Sequence, residues 1–290
     1  MTGGLIGSLF CVLMFGGFPI PADETEPPSA AKEVRPPDLK TVPVPDSFRR
    51  VSSAFESSIP VFGIHVLAAR GFDAAKHRHV AAVLAEYLDN DEDGRPDNPK
   101  VVEAMAARSM AMVLFRSERD MERLDRSGME AYDFRYLQGQ FQSETLPRGE
   151  FDATLEEVLH LVTMGYAEAY PRVFGTLPGT ALSDCLDRAR GGHFSRVPRE
   201  YPEKAWFHYD DRSCEYGCMG VEYLYWALTS LLGAQSDPRR AREISHEWQL
   251  NTAELMREKD PWMTALLTEP EYRWAKKLPD GKYAPAVSGD

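Results

Sequence analysis

The segment Asp89-Asn90-Asp91-Glu92-Asp93-Gly94-Arg95-Pro96-Asp97-Asn98 sets hard oxygen donors at alternating positions around one glycine. That spacing suits a calcium ion: Asp89, Asp91, Asp93 and Asp97 offer side-chain oxygens, Arg95 offers its backbone carbonyl, and Gly94 permits the sharp turn. Without a cation these carboxylates repel one another. The plainer alternative is a solvated acidic turn whose Asn98 caps a helix. A second concentration of chemistry lies in ATLEEVLHLVTMGY, residues 153–166. At about 100° per residue, Leu155, Val158, Leu159, Val162 and Tyr166 form one apolar stripe, and His160 falls opposite it, between Glu156 and Glu157. Leu161 and Met164 flank that opposite face, so the helix reads as covered on two sides. An imidazole in such a place needs partners.

The elements that must carry these residues follow from periodicity and punctuation. Residues 60–68 (PVFGIHVLA) read as a buried strand and residues 74–88 as an amphipathic helix leading into the acidic loop. Asn98-Pro99 opens another helix, with Asn as cap and Pro at the first position; residues 110–115 (MAMVLF) read as a strand. Ser117 begins a short polar helix, residues 132–145 read as one or two edge strands, and the His160 helix ends at Pro171. The rest is mostly helical, notably residues 219–232 and 239–257. The pattern is α+β, with a mixed strand and helix first half built on a small sheet and a mostly helical second half.

The acidic loop resembles the calcium loops of dockerins, thrombospondin type 3 repeats and EF-hands. It departs from the EF-hand at position twelve, where Lys100 replaces a bidentate Glu, and Glu103 one turn later is the substitute on offer. With no partner EF-hand, a structural ion is implied instead of a sensor. The His160 helix resembles that of zincin metallopeptidases, whose HExxH puts two ligands at i and i+4 and a general-base Glu at i+1. Here Glu156 stands in place of the first His, Glu157 in place of the base and His160 in place of the second ligand, with an edge strand before the helix and helices after it. The resemblance implies a zincin-like fold and a zinc or other divalent transition metal. A carboxylate-rich ligand set shifts preference toward harder ions. It also implies a third ligand from a later helix, which Glu222 fits, and an aromatic hydroxyl such as Tyr223 or Tyr225 at an oxyanion. Two other readings stay open. ExxH occurs at Glu157–His160 and again at Glu243–His246, which with Glu86 and Glu222 is the ligand inventory of a di-metal carboxylate bundle. Alternatively, Glu156 and Glu157 are simply ion-pair partners of a buried structural His160.

Composition bounds what these sites serve. The chain has 290 residues, 43% apolar and 27% charged, with 33 Lys and Arg against 45 Asp and Glu for a net charge of −12. That balance argues against nucleic acid or an anionic membrane surface as partner. Residues 5–18 (LIGSLFCVLMFGGF), followed by Pro-Ile-Pro-Ala, read as a secretory signal cleaved after Ala22, placing the protein in a secreted or periplasmic compartment. Residues 23–46, Pro-rich and without apolar periodicity, read as a disordered linker before a single domain over 47–290. An oxidising compartment makes Cys214–Cys218 a local disulfide, with Cys185 a leftover thiol; the alternative is a zinc site of Cys214 and Cys218 with His193 or His208. His77 and His79, two residues apart, face different sides of their helix and read as a solvated basic patch. Asp210-Asp211 beside His208 reads as loop structure, and the aromatics of residues 201–226 as core. GxSxG, P-loop and GxGxxG patterns do not occur. Two function classes follow: an exported metal-dependent hydrolase acting on peptide or protein, or a non-catalytic extracellular calcium-binding protein, including a zincin-fold pseudoenzyme.

Overall fold

A computed structural model describes residues 35–48, 51, 53–125 and 136–285. The expected signal at residues 1–22 and the expected linker up to residue 34 lie outside the described residues. The strand expected over residues 60–68 is in fact the turn of a hairpin. β1 (Phe55–Val61) and β2 (Ile64–Ala69) run antiparallel, with Val61 paired to Ile64. Between them Phe62 and Gly63 have φ of 50° and 88°, the left-handed pair that a two-residue hairpin requires. A single glycine flanked by β-branched residues reads as strand interior until the pairing is known.

β3 (Ala111–Phe115) joins parallel to β2, and β4 (Leu137–Phe141) parallel to β3, giving the order β1-β2-β3-β4 with β4 at one edge. β3 is buried throughout because both faces are covered. Met112 and Leu114 enter the main core, while Ala111, Val113 and Phe115 meet a smaller cluster with Phe48, Val51 and Phe55. Residues 35–46, expected to belong to a disordered linker, follow the domain instead: Leu39 is buried, and Val42 and Ser58 exchange backbone hydrogen bonds of 2.7 and 2.9 Å.

The helices are α1 (Ala74–Leu88), α2 (Pro99–Ala107), α3 (Glu118–Asp125), α4 (Thr154–Ala169), α5 (Ala181–Ala189), α6 (Tyr216–Leu231), α7 (Pro238–Ile244), α8 (Ala253–Lys259) and α9 (Pro261–Thr268). α2 opens as its sequence dictates: the Asn98 side chain accepts from Val101 N, and Pro99 occupies the first turn. The one helix expected over residues 239–257 is α7 and part of α8 with a loop between. There Glu247 O accepts from His208 N, Gln249 N donates to Trp206 O, and buried Trp248 donates Nε1 to Ser230 Oγ at 2.9 Å. Pairing across to residues 206–208 takes the backbone groups that a continuous helix would use. His77 and His79 do face different sides of α1, but they are structural, not a solvated patch. His77 Nε2 is buried against Val66 O at 2.8 Å, and His79 Nε2 meets Asp152 Oδ2 at 2.7 Å. Among the described residues, no helix is long and apolar enough to cross a membrane.

The chain end straps back over the acidic loop. Trp274 stacks on Tyr166 with ring centroids 3.6 Å apart, and Tyr283 donates to Asp89 Oδ2. Asn90 is the hub: its Oδ1 accepts from Lys276 N and Lys277 N at 2.8 and 2.9 Å, and its Nδ2 donates to Glu86 O and Lys277 O at 2.9 and 3.0 Å. Asn90→Ala removes four hydrogen bonds, of which only the one to Glu86 O is partly buried while water can reach the rest, so it is expected to cost about 1 kcal/mol in urea unfolding. A cost below about 0.5 kcal/mol would show that the strap holds without it.

Candidate metal centre

α4 starts from the sheet edge and is anchored there. Gln140 Nε2 donates to Thr154 Oγ1 at 2.9 Å, and Gln138 Nε2 donates to Glu157 Oε2 at 2.5 Å. α6 packs beside α4 and is buried along nearly its whole length, as expected of a helix apolar all round. Glu222 is thus a buried carboxylate on a core helix facing a buried imidazole on its neighbour. His160 Nε2 lies 3.4 Å from Glu222 Oε2, and His160 Nδ1 lies 3.8 Å from Glu157 Oε2. Glu156, His160 and Glu222 each bring one donor atom into a group whose members all lie within 4.8 Å of one another. Tyr209 donates to Glu222 Oε1 at 3.2 Å, and the Tyr225 ring stands edge-on to His160 at 5.9 Å.

The electrostatics of this cluster are those of a site short of positive charge. His160 is only 5% exposed, and its Nε2 makes no hydrogen bond although Glu222 is within ion-pair distance. Burial opposes charging of the ring, yet Glu222, Glu157 and Glu156 outweigh it and push His160 up to about 9. Burial, then the repulsion of Glu222, raises Glu156 to about 7; burial raises Glu157 to about 8 against the pull of His160. Burial and the Glu222 charge hold the Tyr209 hydroxyl well above its ordinary range, so it stays protonated as a donor. The cluster therefore keeps protons on groups that burial and mutual repulsion disfavour as anions.

No protein family, curated protein or solved structure matches this chain.

The structure brings His160, Glu156 and Glu222 together, but it separates other residues named for the site. Glu157 faces Nδ1, not the Nε2 that faces Glu222, and Gln138 holds the same oxygen that approaches the ring. Tyr223 is turned away and donates to Asp260 Oδ2 at 2.5 Å. Tyr225 bonds Gln235 and Arg240 through its hydroxyl. Glu86 lies by the C-terminal strap, where its Oε2 accepts from Asp280 N and Gly281 N, and Glu243 pairs with Arg240 at 3.6 Å. The di-metal inventory built on Glu86 and Glu243 is therefore not assembled. Sequence reasoning missed Tyr209, whose spacing carries no motif. It also missed the group Asp210, His246 and Glu247, likewise within 4.8 Å of one another, because the loop pairing that joins them has no sequence signature. Burial and the charges of Asp210, Glu222 and Glu156 push Glu247 up to about 8.

In the acidic loop, Asp89, Asp91 and Asp93 offer oxygens within 4.8 Å of one another. Asp89 is buried and accepts from Asp93 N and Gly94 N at 3.1 and 2.9 Å, Asp93 accepts from Arg95 N at 2.8 Å, and Asp97 accepts from Asn90 N at 2.7 Å. Gly94 has φ of 86°, and a Cβ there would meet Pro36 Cγ at 2.8 Å, so turn and approach both demand glycine. Glu103 is exposed on α2 and outside this group. Cys214 and Cys218 form a disulfide, which removes the alternative zinc site, and Cys185 is a buried thiol.

Proposed function

We propose that this is an exported protein in which Glu156, His160 and Glu222 hold zinc or a similar divalent ion, serving hydrolysis of a peptide-class substrate. A calcium ion in the loop of residues 89–97 would staple the domain. The observation that carries the metal centre is the buried His160 Nε2, which makes no hydrogen bond yet lies beside a carboxylate on a separate helix. A structural ion pair uses the same nitrogen at 3.4 Å, but a fully satisfied one would also aim a hydrogen bond along that contact. Imidazole and carboxylate are both ligand types that zinc and similar divalent ions take, and a set with two carboxylates to one imidazole leans toward the harder of those ions. A bound ion would supply Lewis-acid polarisation and a water of lowered pKa. Around it, Tyr209 fixes one oxygen of Glu222, and Gln138 and Glu157 orient the imidazole through Nδ1. Glu156 is half-buried, and its charge is felt at Glu247.

The position of Glu157 favours the second reading, a non-catalytic metal or calcium protein, because a general base must face the reacting water. Elemental analysis of the purified protein, with peptide hydrolysis assayed before and after chelation, tests the proposal. One transition-metal equivalent and chelator-sensitive cleavage support it; a metal-free protein that takes up none overturns it, and metal without cleavage leaves the non-catalytic reading.

For the loop, calcium at about a hundredfold its Kd is expected to add about 2.7 kcal/mol, or about 5–10 °C in Tm for a domain of this size. Asp91→Asn, at an exposed donor, should remove most of that gain in differential scanning calorimetry. An equal gain in wild type and variant would sink the calcium assignment.

A further inference from the structure

The proposed centre leaves Arg240, on α7, unused. Its guanidinium packs over the Phe151 ring at 4.1 Å and over the Trp226 ring at 5.4 Å. Nε donates to Gln235 Oε1 at 3.0 Å and Nη2 donates to the Tyr225 hydroxyl at 3.4 Å, which fixes one side of the fork. Nη1 makes no hydrogen bond; it lies 3.6 Å from Glu243 Oε2, on a side chain that is 58% exposed where that of Arg240 is 16% exposed. A guanidinium carries five N–H donors and keeps its charge, so with two donors used, three remain on a mostly buried cation.

The position of this cation ties it to the ion site. Trp226 follows Glu222 by one turn of α6, and Phe151 lies just before the first turn of α4, which carries Glu156. The Tyr225 ring that Arg240 bonds stands edge-on to His160 at 5.9 Å. One tyrosine thus separates guanidinium from imidazole, about the span of two or three extended residues at roughly 3.5 Å each. Trp226, 5% exposed, adds a buried Nε1 that makes no hydrogen bond. Among the described residues Arg240 forms no ion pair with Glu156 or Glu222, so it is not the counter-ion that neutralises them. The group its free N–H donors match best is a carboxylate, which accepts two parallel bonds from a guanidinium fork. Glu243 already holds a carboxylate near that edge without a hydrogen bond, a resident that a better-aligned carboxylate can displace.

We propose that Arg240 receives the free C-terminal carboxylate of a peptide substrate, so that the site trims chain ends and does not cut within chains. The cleavage rests on the function proposed above; recognition of a carboxylate by Arg240 does not. Cleavage consumes one water: a C–O bond forms at the carbonyl carbon as the amide C–N bond breaks, and the leaving nitrogen takes up a proton. Arg240 shares in none of those bonds and positions the end of the chain.

The probes are an N-acetylated hexapeptide as the free acid and as its C-terminal amide, presented to the full chain loaded with zinc. kcat/KM for the acid is expected to exceed that for the amide by about a hundredfold. Arg240→Gln should erase that ratio through KM, with zinc content unchanged. Glu243→Gln, on an exposed side chain, should instead lower KM for the acid and raise the ratio, because it removes the resident competitor. Equal cleavage of acid and amide by wild type, or a preference for the acid that survives Arg240→Gln, overturns the proposal. Should Arg240→Gln not fold, Glu243→Gln carries the test: a raised ratio supports the proposal and an unchanged one overturns it. If neither peptide is cut, the hydrolase reading fails, and titration calorimetry with the same pair decides the carboxylate site by itself. Wild type binding the acid about tenfold or more tighter than the amide upholds it, and equal binding overturns it.

Discussion

His160→Ala is expected to remove the transition-metal equivalent, weakening zinc or cobalt binding by more than about a hundredfold, the upper end of what loss of an orienting partner costs. His160 supplies the sole nitrogen among Glu156, His160 and Glu222, and its Nε2 is the buried atom without a hydrogen bond. Removing the ring leaves two close carboxylates with no imidazole between them, and Glu156 is already held up by burial and then by the Glu222 charge. Glu157→Gln divides the two functional readings. If Glu157 orients the ring through Nδ1, its loss should weaken metal binding by about ten- to a hundredfold and lower activity only through occupancy. If it acts as a base, metal affinity should hold while hydrolysis at saturating metal falls by about two orders of magnitude or more. Competition titration against a chromogenic chelator, beside peptide hydrolysis, reads both quantities. Unchanged metal binding in His160→Ala would remove the centre altogether.

Which parts of this arrangement could be foreseen depended on how local their causes are. The α1 and α2 boundaries follow from Asp73, Asn98 and Pro99, whose side chains or missing N–H act within one helical turn, and the acidic loop follows from alternation over a few residues. The burial of α4 on two sides was legible from Leu161 and Met164 flanking His160. Glu222 falls opposite the stripe of Leu224, Ala227, Leu228 and Leu231, but that it meets α4 follows only from a family resemblance, since helical period alone does not say which neighbour a face packs against. The hairpin at Phe62-Gly63 was hidden because strand and turn share the same apolar composition there. The break at residues 245–252 was hidden because its cause is a pairing with residues 206–208. The same non-local pairing creates the Asp210, His246 and Glu247 group, which therefore has no local signature in the sequence. The C-terminal strap shows the same effect: Asn90 read as one more oxygen-rich loop residue, yet its amide serves backbone groups of residues 276 and 277.

The stability of the metal-free protein is expected to fall as pH rises from about 6.5 to 9, and a divalent metal should reverse most of that loss. His160 is held up to about 9, above its unfolded value near 6.5, so its stabilising charge is complete below the unfolded pKa and is lost as pH climbs through 9. Glu156, Glu157 and Glu247 are raised to about 7, 8 and 8 from an unfolded value near 4.5. Each keeps a proton in the native state that the unfolded chain has already released, and that too makes stability decline with rising pH up to the folded pKa. Buried His65 and His77, shifted downward, act in the opposite sense, but only below about 6.5, where the unfolded rings take up protons. Above that pH the acidic cluster dominates, and every proton retained by the native state contributes a slope of about 1.4 kcal/mol per pH unit. A bound ion replaces those protons, so the Tm gain on adding zinc should grow across the same window. Glu157→Gln deletes one of the titrating groups and should flatten the metal-free slope measurably between pH 7 and 8. Chemical denaturation of the chelated protein at half-unit pH steps measures this directly. A flat or rising profile in wild type, or an identical slope in Glu157→Gln, would mean that the buried carboxyls do not hold the protons assigned to them.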